Sequence, residues 1–358
     1  MKRNGIISFW KFLFAVMIVL FHGKRFSNGN DFVLFNGGYI GVEFFFIVSG
    51  VFLAASILKN WDKDTSNLGC ETLTFIFKKF CSFFPYMIIA YFLLLGTYIL
   101  TDAIPVYKMS SSIWELFLLQ KVGLNYYPVN APSWYLSSML MCMFLIYPLM
   151  RKFKMNYIYF IAPISIVFCL GLMGNNIKGF NHVADWIGFT NFGNIRAFAE
   201  LNIGVLIYFI SNKLKQINFT KLGKFVLTII EITCLFLPFF ITNFIKSSYR
   251  YDYVMLLMIS IGICIAVSNI TLEKDILNNN TVYYFEKLSL PLYLFHFVIL
   301  KIIQAILSLF SLSFSYPTKL SLYLGVSLVF SMIILKIVES LRSKNFYIDK
   351  VKRLFISE

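Results

Sequence analysis

Ten stretches of this 358-residue chain are apolar and close to the length that crosses hydrocarbon: 6–22, 38–58, 82–100, 133–150, 157–173, 196–211, 225–244, 252–269, 289–310 and 318–338. A span needs about 20 such residues for about 30 Å of lipid core. Within that core a backbone amide finds no water. Only helices, bonded within their own segment, or closed barrels are therefore tolerated. No barrel-type alternation is visible, so the sequence predicts an all-α, polytopic membrane helix bundle of about ten transmembrane helices. Several runs are short and must tilt or be buried among their neighbours. Composition agrees: 59% of residues are hydrophobic and 14% charged, which lies outside the range of a water-soluble globule.

The formal charge of +15 is explained first by topology rather than by nucleic acid, which is not expected as a partner. With the N-terminus inside, 20 Lys and Arg fall on inner segments and nine on outer ones. The positive-inside rule then places both termini in the cytoplasm. The expected organisation is a transmembrane domain over 1–340 and a basic cytoplasmic tail over 341–358, multi-pass in a bacterial cell membrane. No small-residue cleavage site follows His22, so the first run reads as a retained span. The six cysteines show no paired spacing and suggest neither disulfides nor zinc, and no metal site is expected. Two outer segments stand out. "SSIWELFLLQ" within 101–132 is too short to cross and reads as an interfacial or re-entrant helix. The segment 174–195 is rich in Asn, Gly and aromatics, which suits sugar binding and equally an ordinary connector.

Ionisable residues inside spans are costly, and they mark function by default. Lys11 and His22 are 11 residues apart, within about 20° of whole turns, so both lie on one helix face about 16 Å apart along the axis. Snorkelling to headgroups accounts for Lys11 equally well, and an interfacial position for His22. In "GGYIGVEFFFIVSG", residues 37–50, Glu43 lies at a depth comparable with His22. A carboxylate buried there needs a partner. His22 is the expected one, because a Glu would fix the imidazole tautomer and stabilise the imidazolium of a general base. Gly37 and Gly41 form a small-xxx-small pair for close helix approach. Ser49, beside Gly50, is given a local capping role.

The first two spans, with a cation and a histidine followed by G-x-x-G-V-E-F-F-F-I-V-S-G, resemble the integral-membrane acyltransferase family 3, whose members O-acylate sugars and other cell-envelope molecules. "FIFKKFCSFFPYM" (75–87), "PSWYL" (132–136) and "FEKLSLPLYLFHF" (285–297) extend the resemblance over most of the chain. Lys11 and Glu43 stand where the family usually has Arg and Asp, Met139 where many members have a carboxylate, and Glu339 near the place of a late Glu-x-Pro.

The resemblance implies transfer of an acyl group, expected to be acetyl, from cytoplasmic acetyl-CoA to a hydroxyl of an envelope glycan, an exopolysaccharide or a lipid-linked precursor. It assigns catalysis to His22 and Glu43 and the donor phosphates to Lys11, Lys78 and Lys79. Trp134, Arg196 and His296 become candidate contacts to acceptor or acyl group, although headgroup anchoring explains the first two and helix packing the third. Direct transfer and an acyl-histidine relay both fit. The implied partners are acyl-CoA, the glycan acceptor and the bilayer, with self-association left open. The rival reading is a transporter or flippase for a glycan precursor, its path lined by the same polar residues.

Overall fold

The computed structural model describes residues 3–343 except 28, 30, 31, 102–105, 125–127, 176–178 and 245–250. The tail expected over 341–358 lies almost entirely outside the described residues. Ten long helices follow one another: α1 (Gly5–Gly23), α2 (Gly41–Leu58), α3 (Leu68–Leu100), α4 (Trp134–Asn156), α5 (Ala162–Asn175), α6 (Phe192–Leu214), α7 (Lys221–Phe244), α8 (Asp252–Ser268), α9 (Asn280–Leu309) and α10 (Tyr316–Ser343). One two-residue antiparallel ribbon, Trp186–Ile187 with Thr190–Asn191, sits between α5 and α6. The polytopic helical bundle is as expected.

Among the described residues, eight helical stretches are long and apolar enough to cross a membrane. Ten runs were expected, and two features account for the difference. Ala131–Asn175 is one stretch of 45 residues, about twice the length a crossing needs. It breaks at Lys154 (φ 47°, ψ −121°) and passes through a π turn at Tyr157–Ile161, thereby covering two of the expected runs. α8 is shorter, at 17 residues. α3 begins at Leu68, well before the apolar run at 82, and so carries Lys78 and Lys79 within the helix. Hydropathy alone misses this extension because Glu71, Thr72, Thr74, Lys78 and Lys79 are interspersed with the Leu68, Phe75, Ile76 and Phe80 that pack inward.

The extension is anchored through Glu71 by Arg151 of α4, which is fully buried. Its Nε and Nη2 donate to the two oxygens of Glu71 at 3.2 Å, and its other hydrogens reach the carbonyls of Trp61 and Lys63. A bidentate guanidinium–carboxylate pair with carbonyl acceptors leaves no buried donor unpaired. One cation of the inner-segment charge count is thus a structural clamp.

α2 and α6 form the centre of the bundle. They cross so closely that a Cβ on Gly50 would lie 2.1 Å from the Leu201 carbonyl oxygen, and one on Gly204 would lie 2.1 Å from that of Ile47. No other residue fits at such a crossing. Of the small pair expected at Gly37 and Gly41, Gly41 is pressed against Met17 and Ile18 of α1, and Gly38 packs against Met17 and Phe21 beside it. α1 in turn packs along α9, and α10 covers the outer side of α9. α7 turns Phe225, Ile229, Phe236 and Phe240 outward, the side chains a lipid-facing helix requires.

The "SSIWELFLLQ" segment enters the bundle instead of lying across its end. Its short helix, Ser112–Glu115, buries Glu115, Leu118, Gln120 and Lys121 and leaves Ile113, Trp114, Phe117 and Leu119 exposed. Glu115 accepts hydrogen bonds from the backbone N–H groups of Val129 and Asn130 at 2.9 Å and from Ser133 Oγ at 3.0 Å. It thereby folds the segment back onto the start of α4. Asn130 Nδ2 donates to the Leu294 carbonyl and Tyr293 Oη to that of Pro132, tying the segment to α9. Burial outweighs these donors and pushes the Glu115 carboxyl up to about 7.

Gly204→Ala should lower the thermal midpoint of the purified protein by several degrees, the cost of overpacking being about 1–3 kcal/mol. Gly325→Ala, where a Cβ meets open space, should leave it unchanged; equal midpoints for the two variants would contradict the crossing. Glu115 holds its proton more tightly folded than unfolded, so its contribution is most favourable at low pH. It turns into a cost as pH rises from about 4.5 towards 7, by at most about 3 kcal/mol. Wild type should therefore lose stability relative to Glu115→Gln between pH 5 and pH 7.5. Parallel pH–stability curves for the two would refute this.

Candidate functional site

His22 lies in the last turn of α1, at the same end of the bundle as the starts of α2, α4 and α6. Asn4 caps the other end of α1 by accepting from the N–H groups of Ile6 and Ile7, which fixes where the helix begins and so where His22 ends up. The imidazole has no side-chain hydrogen bond or ion pair among the described residues. Its neighbours are rings: His296 of α9 with centres 4.9 Å apart, Phe297 at 6.0 Å and Phe21 at 5.0 Å.

His22 lines a cavity of about 220 Å³, together with Tyr39, Lys121, Trp134, Arg196 and Tyr293. That volume corresponds to about seven waters. Pro128, Asn181 and Ala184, also on its wall, are exposed, so the cavity opens between the 112–133 segment and the loop before α6. Both loops singled out in the sequence meet at its mouth.

The expected pairing of Glu43 with His22 is not what the fold makes. Glu43 is fully buried and its Oε2 accepts from Arg196 Nη2. Arg196 also donates from Nε to Glu200 at 3.2 Å, from Nη1 to the Phe180 carbonyl at 2.8 Å and from Nη2 to the Tyr39 carbonyl at 3.3 Å. Nearby Asp252 accepts from Tyr39 Oη and the Phe180 N–H. The reason is rotational. Glu43, Ile47 and Gly50 recur at helical spacing on one face of α2, and Arg196, Glu200 and Gly204 do so on α6. The glycine contact that brings the two helices together necessarily turns Glu43 towards Arg196. Matching depth with His22 fixed the level of Glu43 in the bundle, not its azimuth. Arg196 is accordingly buried, its guanidinium 5.7 Å from the Trp134 ring centre and its flank on the cavity wall.

His296 takes the place beside His22. Its Nδ1 lies 3.2 Å from the Leu292 carbonyl oxygen, which can only accept, so Nδ1 carries the hydrogen and Nε2 presents a lone pair. That Nε2 is buried without a hydrogen-bond partner among the described residues, and the centre of the His22 ring lies 4.9 Å from that of His296. An imidazole N–H given to Nε2 would orient the His22 ring and leave its second nitrogen available as a base.

At the other end of α1, Lys11 Nζ is 2.7 Å from Glu286 Oε1 of α9, and Ser8 Oγ is 2.6 Å from Glu286 Oε2. Lys11 also lies over the Phe52 ring. α1 and α9 therefore run parallel, joined by an ion pair at one level and a histidine pair about ten residues later. Glu286 was not singled out in the sequence, although it stands within the quoted "FEKLSLPLYLFHF". Lys79 is half-buried and near enough to feel the Lys11 charge, while Lys78 is exposed. Arg342 donates to the Ser82 carbonyl, and Lys287 pairs with Glu339 at 2.8 Å, so this rim is basic.

Lys121, counted in the sequence only as an outer cation, is buried. Its backbone N–H donates to Ser137 Oγ and its carbonyl accepts from Asn194; its Nζ donates to the Val183 carbonyl at 2.9 Å. Burial pushes the ammonium down to about 8.

Removing the guanidinium leaves two or three carboxylates buried without their counter-charge, a loss of about 3–5 kcal/mol. Arg196→Met should therefore abolish a monodisperse, cooperatively unfolding preparation, and Arg196→Met with Glu43→Gln should recover part of it. Stability of the single variant equal to wild type would show that the cluster holds nothing together.

No curated protein and no solved structure matches the chain. The family model for the acyltransferase domain, acyltransferase family 3, matches residues 4–336, from the cap of α1 into α10. The histidine-lined cavity, the Lys11–Glu286 pair, and Lys78 and Lys79 fall within that match, and the chain belongs to acyltransferase family 3 as a multi-pass membrane acyltransferase.

Proposed function

We propose that the protein is an O-acetyltransferase that moves the acetyl group of cytoplasmic acetyl-CoA onto a hydroxyl of an envelope glycan or its lipid-linked precursor, with His22 as general base. The observation that carries this reading is the His22 ring on an open cavity, backed by the lone pair of His296. An alcohol is a weak nucleophile at neutral pH. His22 takes the hydroxyl proton as the oxygen bonds to the thioester carbonyl carbon, the C–S bond breaks, and the proton passes to the departing thiolate. Positioned acid–base help of this kind is worth about 10² to 10⁴ in rate. Glu43 supports the reaction indirectly, by holding Arg196 and the wall of the cavity.

The donor enters from the basic end. Lys78 and Lys79 have no carboxylate partner among the described residues and meet the phosphates first. Lys11 contributes a charge shared with Glu286. Lys11 and His22 lie about 16 Å apart along α1, the distance an extended pantetheine arm has to cover. Trp134 and Arg196 face the acceptor side of the same cavity.

Purified protein in nanodiscs with radiolabelled acetyl-CoA tests the assignment. His22→Ala should lower transfer at least 100-fold without changing the thermal midpoint. His296→Asn should lower it about 10-fold and move the acidic limb of the pH–rate profile. Unchanged transfer in His22→Ala would reject the base. Accumulation of fully acetylated precursor inside cells bearing His22→Ala would instead favour transport.

A further inference from the structure

Lys121 is 4% exposed, yet its ammonium has no carboxylate partner among the described residues. Of its three N–H groups, one is used on a neutral carbonyl. A neutral glutamine would make that bond as well, so the charge is surplus to the clamp on Val183. An unpaired ammonium held out of water is disfavoured, and burial lowers its hold on the proton. The cavity's other cation, Arg196, is committed to Glu43, Glu200 and two carbonyls. Lys121 thus supplies the cavity with a positive charge that no carboxylate among the described residues cancels. The Trp134 ring lies 5.9 Å from its Nζ, a flat apolar surface beside a cation, at the mouth between Pro128 and Asn181.

Resting on the acyltransferase reading above, we infer that this cavity selects an acidic sugar, whose carboxylate or phosphate group pairs with Lys121 while its ring lies on Trp134 and presents a hydroxyl to His22. Charge-assisted hydrogen bonds from a lysine suit either oxyanion. The Val183 carbonyl holds the ammonium in place between turnovers, so the site is preorganised for the anion. A neutral ring takes only an ordinary hydrogen bond from the ammonium, whereas an anion gains a charge-assisted one with both partners ionised, and this difference discriminates between them.

Binding of three probes to the full-length protein in nanodiscs, followed by thermal shift without acetyl-CoA, tests the inference. The probes are glucuronic acid, glucose 1-phosphate and glucose. One of the two acidic probes should bind at least 10-fold more tightly than glucose, and which of them does so identifies a carboxylate or a phosphate as the recognised group. Lys121→Met should erase the preference and Lys121→Arg should keep most of it. Equal binding of glucose, or a preference that survives Lys121→Met, would overturn the inference. If Lys121→Met does not fold, Lys121→Gln, which can still donate to Val183, replaces it with the same expected loss. Acidic-probe binding with no acetyl transfer to any probe would remove the enzymatic reading alone; acetyl transfer equally fast to neutral and acidic sugars would remove only the selectivity.

Discussion

A guanidinium held between two carboxylates organises this bundle. Arg196 carries Glu43 from α2 and Glu200 from its own helix, and donates to carbonyls on two further segments. In lipid the alternative partners for such groups are absent, so the cluster either forms completely or the helices do not dock. Gly50 and Gly204 make this possible, because the backbones must touch before a short Glu can reach the arginine. Position of α2 and α6 then fixes Trp134, Tyr39 and the loop before α6, and these form one wall of the cavity.

The opposite wall comes from a parallel helix pair. α1 and α9 are registered at two polar contacts, Lys11 with Glu286 and His22 with His296. An ion pair at one level sets how far along the two helices slide, and the histidine rings meet as a consequence about ten residues on. The buried, unpartnered Nε2 of His296 is the kind of unsatisfied group that a fold keeps at a working site rather than in a packing interface. The 112–133 segment, held by Glu115, closes the space between the two walls and contributes Lys121. A catalytic group, a shaped wall and a charge thus arrive from three parts of the chain that share no sequence neighbourhood.

Much of this was readable in advance, and the failures have two causes. His22, Trp134 and Arg196 line one cavity, and their similar depth follows from counting residues along a span at about 1.5 Å each. The pairing of Glu43 with His22 was wrong because depth says nothing about which way a helix faces. The spacing of Glu43 with Gly50, and of Arg196 and Glu200 with Gly204, held the missing azimuth; each glycine marks the face that touches a neighbour. Lys121 and Glu115 were hidden for another reason: a short apolar run outside the spans gives no periodic signal of whether it lies on the membrane or enters the bundle.

Sequence by itself determined that this chain is a bundle of membrane helices, because the run length and apolar content leave the backbone no other way to satisfy its hydrogen bonds in lipid. It also determined that a cation and an imidazole share one face of the first helix, since both belong to a single rigid rod. Only the tertiary structure decided which charges meet. Arg196 took Glu43, Glu286 took Lys11, and His296 came to rest beside His22, because contact between helices depends on rotation and register, and those are set by the packing of residues far apart in the chain.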